Sequence, residues 1–216
     1  MTKDQLRTAF KIELDKSGNM GYPAFLPEEI EYWLNKAMYQ VISNKFTGNN
    51  VLKQPFEKSV KRIHDLSQLV GTAKDITLTK TQNTNQLRCD EVFKNKLFYV
   101  DAVLKWDSQT GKQTANIELI EHSNIGNFAQ TYDNTPWIEH PVAVIDNDSL
   151  CVYVDPISMN SNEYKMDLTY IGKPTDISIL SDTVQYEIVS RAVVLALENI
   201  ESPRVQTKTQ LNQIDE

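Results

Sequence analysis

Few residues in this chain combine the type and spacing that chemistry demands. The three histidines, His64, His122 and His140, are scattered and lack the paired helical spacing of a metal site. Cys89 and Cys151 have no nearby cysteine or histidine, so zinc is unsupported. The run Asp146-Asn147-Asp148 has the oxygen-rich look of a calcium loop. It lacks that loop's glycine and its distal glutamate, and a hairpin turn explains it better. Glu118 and Glu121 imitate the paired carboxylates of a glycosidase, yet such spacing arises by chance in an acidic chain. A small basic cluster, Lys58, Lys61 and Arg62, suits an acidic partner or a phosphate, or simply a solvated helix face. Glycine-rich phosphate loops and nucleophile elbows are missing. The sequence therefore predicts no enzyme, no catalytic residue, no cofactor and no metal.

Charge narrows the partners. Over 216 residues there are 22 Lys and Arg against 29 Asp and Glu, a formal charge of −7. A groove that grips nucleic acid needs clustered positive charge, so DNA binding through phosphates is not expected. Two cysteines make no disulfide scaffold, and reduced thiols are expected. The first eighteen residues are charged throughout and read as no signal peptide. No run of about 18 apolar residues occurs, so no membrane partner is predicted.

The elements that must position any site come next. Residues 181–200 place Val184, Ile188, Ala192, Leu195 and Ala196 at helical spacing, widened by Val189, Val193, Leu197 and Ile200. Only Glu187, Arg191, Val194, Glu198 and Glu201 remain for an outward face, so other elements must wrap this helix. Ser181 or Asp182 is its expected cap, and Pro203 its stop. Residues 2–16 predict a helix opened by a Thr2–Gln5 capping box. Residues 26–46 predict a second, with Ile30, Trp33, Leu34, Ala37, Met38, Val41 and Ile42 inward and Gly48 at its end. Residues 54–70 predict a third, burying Phe56, Val60, Ile63, Leu66 and Val70 and ending at Gly71.

From Thr72 the pattern turns to strands. Residues 76–80 alternate like an edge strand, 96–107 form a strand, and 114–121 return after a hairpin loop at 108–112. A second hairpin joins 142–145 to 150–154, and 163–171 is the last strand. The reading is an α+β fold: a helical bundle from the N- and C-terminal helices with an inserted antiparallel β-sheet or sandwich. Its parts are an N-terminal helical region (1–71), an antiparallel β region (72–177), a C-terminal helix packing on the N-terminal ones (178–202) and a polar tail (203–216).

Three stretches together resemble the ring proteins that join capsid to tail in short-tailed, crAss-like bacteriophages. They are EEIEYWLNKAMYQVISNKFTGNN (28–50), FEKSVKRIHDLSQLV (56–70), and YKMDLTYIGKPTDI with YEIVSRAVVLALENIESPR (within 164–204). Their order and spacing carry the likeness, since each alone is an amphipathic segment. The resemblance to this head-to-tail connector, or tail adaptor, implies a structural virion protein in a homo-oligomeric, twelvefold ring. That ring would stack on the portal or an adjacent tail ring at the capsid–tail junction, after assembly in the host bacterial cytoplasm. DNA would pass through its lumen without sequence-specific binding, and an acidic chain favours passage over adhesion.

Two places are candidate interfaces. The hairpin tip, with Ser108, Gly111 and Lys112, either contacts a neighbouring subunit or ring or faces solvent alone. The tail 203–216 is either flexible or docks through Val205, Leu211 and Ile214. The alternative function is a monomeric peptide- or carbohydrate-binding module, with Tyr99, Trp106, Tyr132 and Trp137 as its contacts, although core packing accounts for those aromatics too.

Overall fold

The computed structural model describes residues 1–15, 25–48, 55–81, 86–108, 111–126, 136–155, 157 and 163–199. The chain divides into two compact units, one of Met1–Leu69 with Pro174–Glu216 and one of Val70–Lys173. Ile200 and the tail lie outside the described residues, as do Gln109 and Thr110.

The first unit holds four described α-helices: α1 (Lys3–Asp15), α2 (Pro27–Thr47), α3 (Val60–Leu66) and α4 (Asp182–Asn199). The start of α1 is a reciprocal box: Thr2 N–H donates to Gln5 Oε1 at 2.8 Å and Gln5 N–H to Thr2 Oγ1 at 3.3 Å. That satisfies two of the donors a helix start leaves open. Pro27 opens α2, Glu29 accepts the N–H of Leu26, and Gly48 closes the helix in the left-handed region at φ 77°. Both α1 and α2 pack on α4 and touch each other.

Along α4, ten residues are buried, including Gln185 and Val194. Val194 was expected outward and is fully covered, so more of this helix is packed than its spacing implied. A three-membered ion cluster ties the unit together. Lys45 Nζ lies 2.9 Å from Asp65 and 2.7 Å from Glu187, joining α2, α3 and α4. Burial alone would lower the Lys45 pKa, but the two carboxylates outweigh it and raise it. Phe46 stacks on Phe56 with ring centres 6.1 Å apart.

The predicted helix over 54–70 is broken. A short 3-10 turn (Phe56–Lys58) ends at Ser59, whose φ of −135° is extended. The α-helix that follows has seven residues, and a second 3-10 turn (Ser67–Leu69) leads directly into a strand. The break rotates the apolar stripe: Leu66 and Leu69 are buried, whereas Val60 is 85% exposed.

The second unit is an eight-stranded sheet: β1 (Val70–Lys80), β2 (Gln86–Cys89), β3 (Lys96–Ser108), β4 (Gly111–Asn116), β5 (Glu118–Leu119), β6 (Val142–Asp146), β7 (Ser149–Tyr153) and β8 (Tyr164–Gly172). The order across it is β4-β3-β8-β1-β2-β7-β6-β5. All pairings are antiparallel except β5 with β6, which is parallel. The expected helical bundle with an inserted sheet is thereby corrected. The chain is mixed α/β, and a near-barrel sheet dominates it. The physical reason is that the strands are longer and more numerous than their alternation shows. They curl around a core of their own, in which Leu87, Leu104, Leu150, Val152, Met166 and Leu168 have no exposed surface.

Nor is residues 76–80 an edge. β1 lies inside the sheet between β8 and β2. A register shift between Ala73 and Ile76 against β8 holds Asp75 at φ 54°. Such a bulge adds a residue to one strand, and the extra curvature helps the sheet close.

Candidate interaction surface

The predicted hairpin tip closes on the pair Ser108–Gly111, with Asp107 opposite Lys112. Gly111 has φ 118°, a conformation side chains rarely adopt, and a Cβ there would meet nothing within 4 Å. Gly111 and Lys112 are exposed and Ser108 is half-buried. Val205, Leu211 and Ile214 lie outside the described residues.

β4 and β5 are separated only by Ile117, so one run of chain pairs with β3 through β4 and with β6 through β5, which brings the two ends of the strand order together. β5 has two residues, and His122 Nε2 sits 2.8 Å from Ile145 O just beyond it. β4 has six residues and, among the described strands, pairs with β3. Ile117 donates its N–H to Ala102 O at 2.8 Å. By the alternation of an antiparallel ladder, Gly111, Gln113 and Ala115 then direct their backbone groups toward β3, while Lys112, Thr114 and Asn116 direct theirs outward. The side chains of Lys112, Thr114 and Asn116 are all exposed.

Of the four aromatics of the alternative reading, the three described ones differ in exposure. Trp106 belongs to the sheet core at 7% exposure. Tyr99 packs against that core, donates its hydroxyl to Ile117 O at 3.3 Å, and has its phenol pKa pushed up, burial being the main cause. Trp137 is 66% exposed, and Tyr132 lies outside the described residues.

His64, His122 and His140 are exposed, and among the described residues no three His, Cys, Asp or Glu side chains are grouped to hold a metal. Cys89 lies opposite Leu150 and Cys151 opposite Arg88, so the two thiols point to opposite faces of adjacent strands. Burial raises both thiol pKa values. The Asp146–Asp148 run is the turn of the β6–β7 hairpin, with Asn147 at φ 52°. Glu118 pairs its backbone with Pro141 and belongs to β5.

Two surface polar clusters pin strands. Asp90 accepts from Arg88 Nε at 2.6 Å and Ser149 Oγ at 3.0 Å, which lowers its pKa. Asp167 accepts from Lys105 at 2.7 Å and from the N–H of Asp75 at 2.9 Å, and its pKa is lowered too, chiefly by Lys105. The second cluster sits on the β1 bulge and fixes the left-handed Asp75 in place.

Apolar surface that the sequence reading placed inside lies outside. Val60 and Ile63 share the outer side of α3 beside Lys61. In the helical unit an open groove between α1 and α4 is lined by Gln5, Thr8, Ala9, Ile12 and Tyr186. Ile12 and Tyr186 are each more than half exposed. A smaller cleft of about 130 Å³ runs past Lys3, Arg7, Glu31 and Ile177, where Arg7 pairs with Asp4 and Glu31. No protein-family model matches the chain, and no curated protein matches it.

Proposed function

We propose that this chain is a subunit of a ring in a phage head-to-tail connector or tail, stacked on the portal or on a neighbouring ring, with DNA passing through the lumen. The observation that carries the reading is the order and spacing of the three stretches within 28–50, 56–70 and 164–204, which resemble the ring proteins of short-tailed, crAss-like phages. The surface supports it. Each unit exposes large apolar side chains, Ile12, Val60 and Tyr186 in one and Trp137 in the other, as suits a subunit with several neighbours. The negative charge of −7 favours passage of DNA over capture.

The test is size and shape. Purified protein, alone and mixed with the portal-side assembly, is measured by light scattering and imaged by electron microscopy. A ring, formed alone or on meeting the partner, is the expected result. A particle that stays near 25 kDa under both conditions overturns the reading and favours a monomeric binding module. Deleting the tip around Ser108, Gly111 and Lys112 leaves folding intact and impairs assembly. Normal assembly after that deletion removes the tip from the interface.

A further inference from the structure

We propose that the outer side of α3 of one copy docks in the groove between α1 and α4 of a second copy; the contact rests on the ring reading above and names the surfaces that make it. The groove has an apolar floor of Ala9, Ile12 and Tyr186, and three carboxylates line it, those of Asp4, Glu13 and Asp182. Ile12 and Tyr186 are each more than half exposed. Balancing charge is sparse. Among the described residues that line the groove, the amino group of Met1 is the one cation, 3.7 Å from Asp182. Arg7 pairs with Asp4 from outside the lining at 3.1 Å. Acid therefore outweighs base around an uncovered apolar floor, and a partner of the opposite pattern is called for.

The chain carries that pattern itself. Val60 is 85% exposed, and Ile63 stands beside it on the outer side of α3. Lys58, in the turn that leads into the helix, and Lys61 are both exposed next to this pair. Glu57 is the exposed acid nearby, and Arg62 is half-buried. Lengths agree as well. The groove follows α1 from Asp4 to Glu13, about 14 Å of axis, and the seven residues of α3 span about 10 Å, at roughly 1.5 Å per residue. Ridge and groove belong to the same compact unit and are both exposed in it, so neither fills the other within one chain. Burying Val60 and Ile63 against Ile12 and Tyr186 supplies affinity, and the lysines against carboxylates set orientation and reject groove-to-groove pairing. Two different patches meeting make a head-to-tail contact, which closes into a ring when the rotation permits.

Full-length Val60→Cys and Ile12→Cys chains are co-expressed, purified and treated with a short bis-maleimide, alone and with the portal-side assembly. Both positions are exposed, so folding is retained, and the native Cys89 and Cys151 are buried and react slowly. A product of two chains, formed in the co-expressed sample and absent from either variant alone, is expected. Lys58→Glu with Lys61→Glu in the Val60→Cys chain should cut its yield several-fold, and Asp4→Lys in the Ile12→Cys chain should recover part of it. No cut, or a cut without recovery, overturns the charge match on which the choice of occupant rests. Val60→Cys chains that link to each other, or Ile12→Cys chains that link to a portal-side protein in place of a second copy, overturn the proposal too. Absence of any cross-link overturns it in either of two ways. If rings are seen in the same sample, the ring reading stands on another contact. If the protein stays near 25 kDa alone and with the portal-side assembly, both readings fall together. The expected cross-link in open filaments keeps this contact and overturns the ring.

Discussion

Gly71 and Tyr170 face each other across β1 and β8, and a methyl group on Gly71 would lie 2.8 Å from Tyr170 Cζ. The Tyr170 ring lies over the glycine and carries Lys96 Nζ 4.6 Å from its centre. The glycine is therefore a space requirement, and the ring roofs the strand. Gly71→Ala should push the ring aside, loosen the Lys96 contact and lower stability by about 1–3 kcal/mol. Thermal melts read the loss. Tyr170→Leu in the same chain should recover part of it, and a loss that is the same in both backgrounds would mean the ring is not the obstacle.

The Lys45–Asp65–Glu187 cluster predicts a large cost for removing its cation. Lys45→Met leaves Asp65, whose side chain is 4% exposed, as an unpaired buried charge, at about 3–5 kcal/mol. Denaturant unfolding should show this, and Asp65→Asn added to Lys45→Met should restore much of it. The alkaline limb follows from the raised Lys45 pKa. Its stabilisation is present below the ordinary lysine pKa of about 10.4 and is lost as pH rises through the higher folded value. The Lys45→Met chain should lack that limb.

At acid pH the sign reverses for Asp167. Its folded pKa is depressed, chiefly by Lys105 and then by the N–H of Asp75. The contribution is present above the unfolded carboxylate pKa of about 3.9 and disappears as pH falls through the folded value. Asp167→Asn should flatten the fall in melting temperature below about pH 4 relative to the parent. A parent and variant with parallel acid profiles would show that Asp167 is not coupled to folding.

Burial separates Ile188 and Ala192 from Val60. Ile188, at 0% exposure in α4, should cost about 2–5 kcal/mol on truncation to alanine. Ala192→Asp, at another fully buried α4 position, places an unpaired charge in the core and should cost at least as much. Val60→Ala, at 85% exposure, should change stability by no more than about 0.5 kcal/mol. The same Val60 change is informative in assembly assays, where a weakened ring would place the outer side of α3 in an interface.

Helix α2 is legible from sequence because one side of it is buried and the other is wet. Ile30, Leu34, Ala37, Met38, Val41 and Ile42 sit inside as their spacing requires, with Trp33 half-buried at the margin under Lys36. Residues 54–70 mislead for a specific reason. Phe56, Val60, Ile63, Leu66 and Val70 keep helical spacing, but spacing does not reveal the extended Ser59 that resets the phase. Val194 was misplaced because periodicity counts faces, and only packing shows how many are covered. The extent of the sheet is hidden for another reason. β4 reads GKQTAN, with one buried residue, and β1 is interrupted by Gly71 and by the bulge at Asp75, so neither alternates cleanly. The Asp146–Asp148 turn and the hairpin at Ser108–Gly111 were legible because their geometry is local. The outward backbone of β4 was not, since it depends on how β4 pairs with β3.

β8 also sets an order of events in time. β1 meets β8 through seven residue pairs and β2 through two, and β3 lies on the other side of β8. The Asp75–Asp167 bond spans 92 positions. At ribosomal speeds of about 5–20 residues per second, β1 emerges on the order of 5–20 s before the strand that completes it. Through that interval β1 and β3 each present an edge that only β8 fills, and any chain ending before residue 164 keeps both open. The middle of this sheet is thus the last part to be delivered, and interrupted synthesis is where the protein is most exposed to strand-to-strand aggregation.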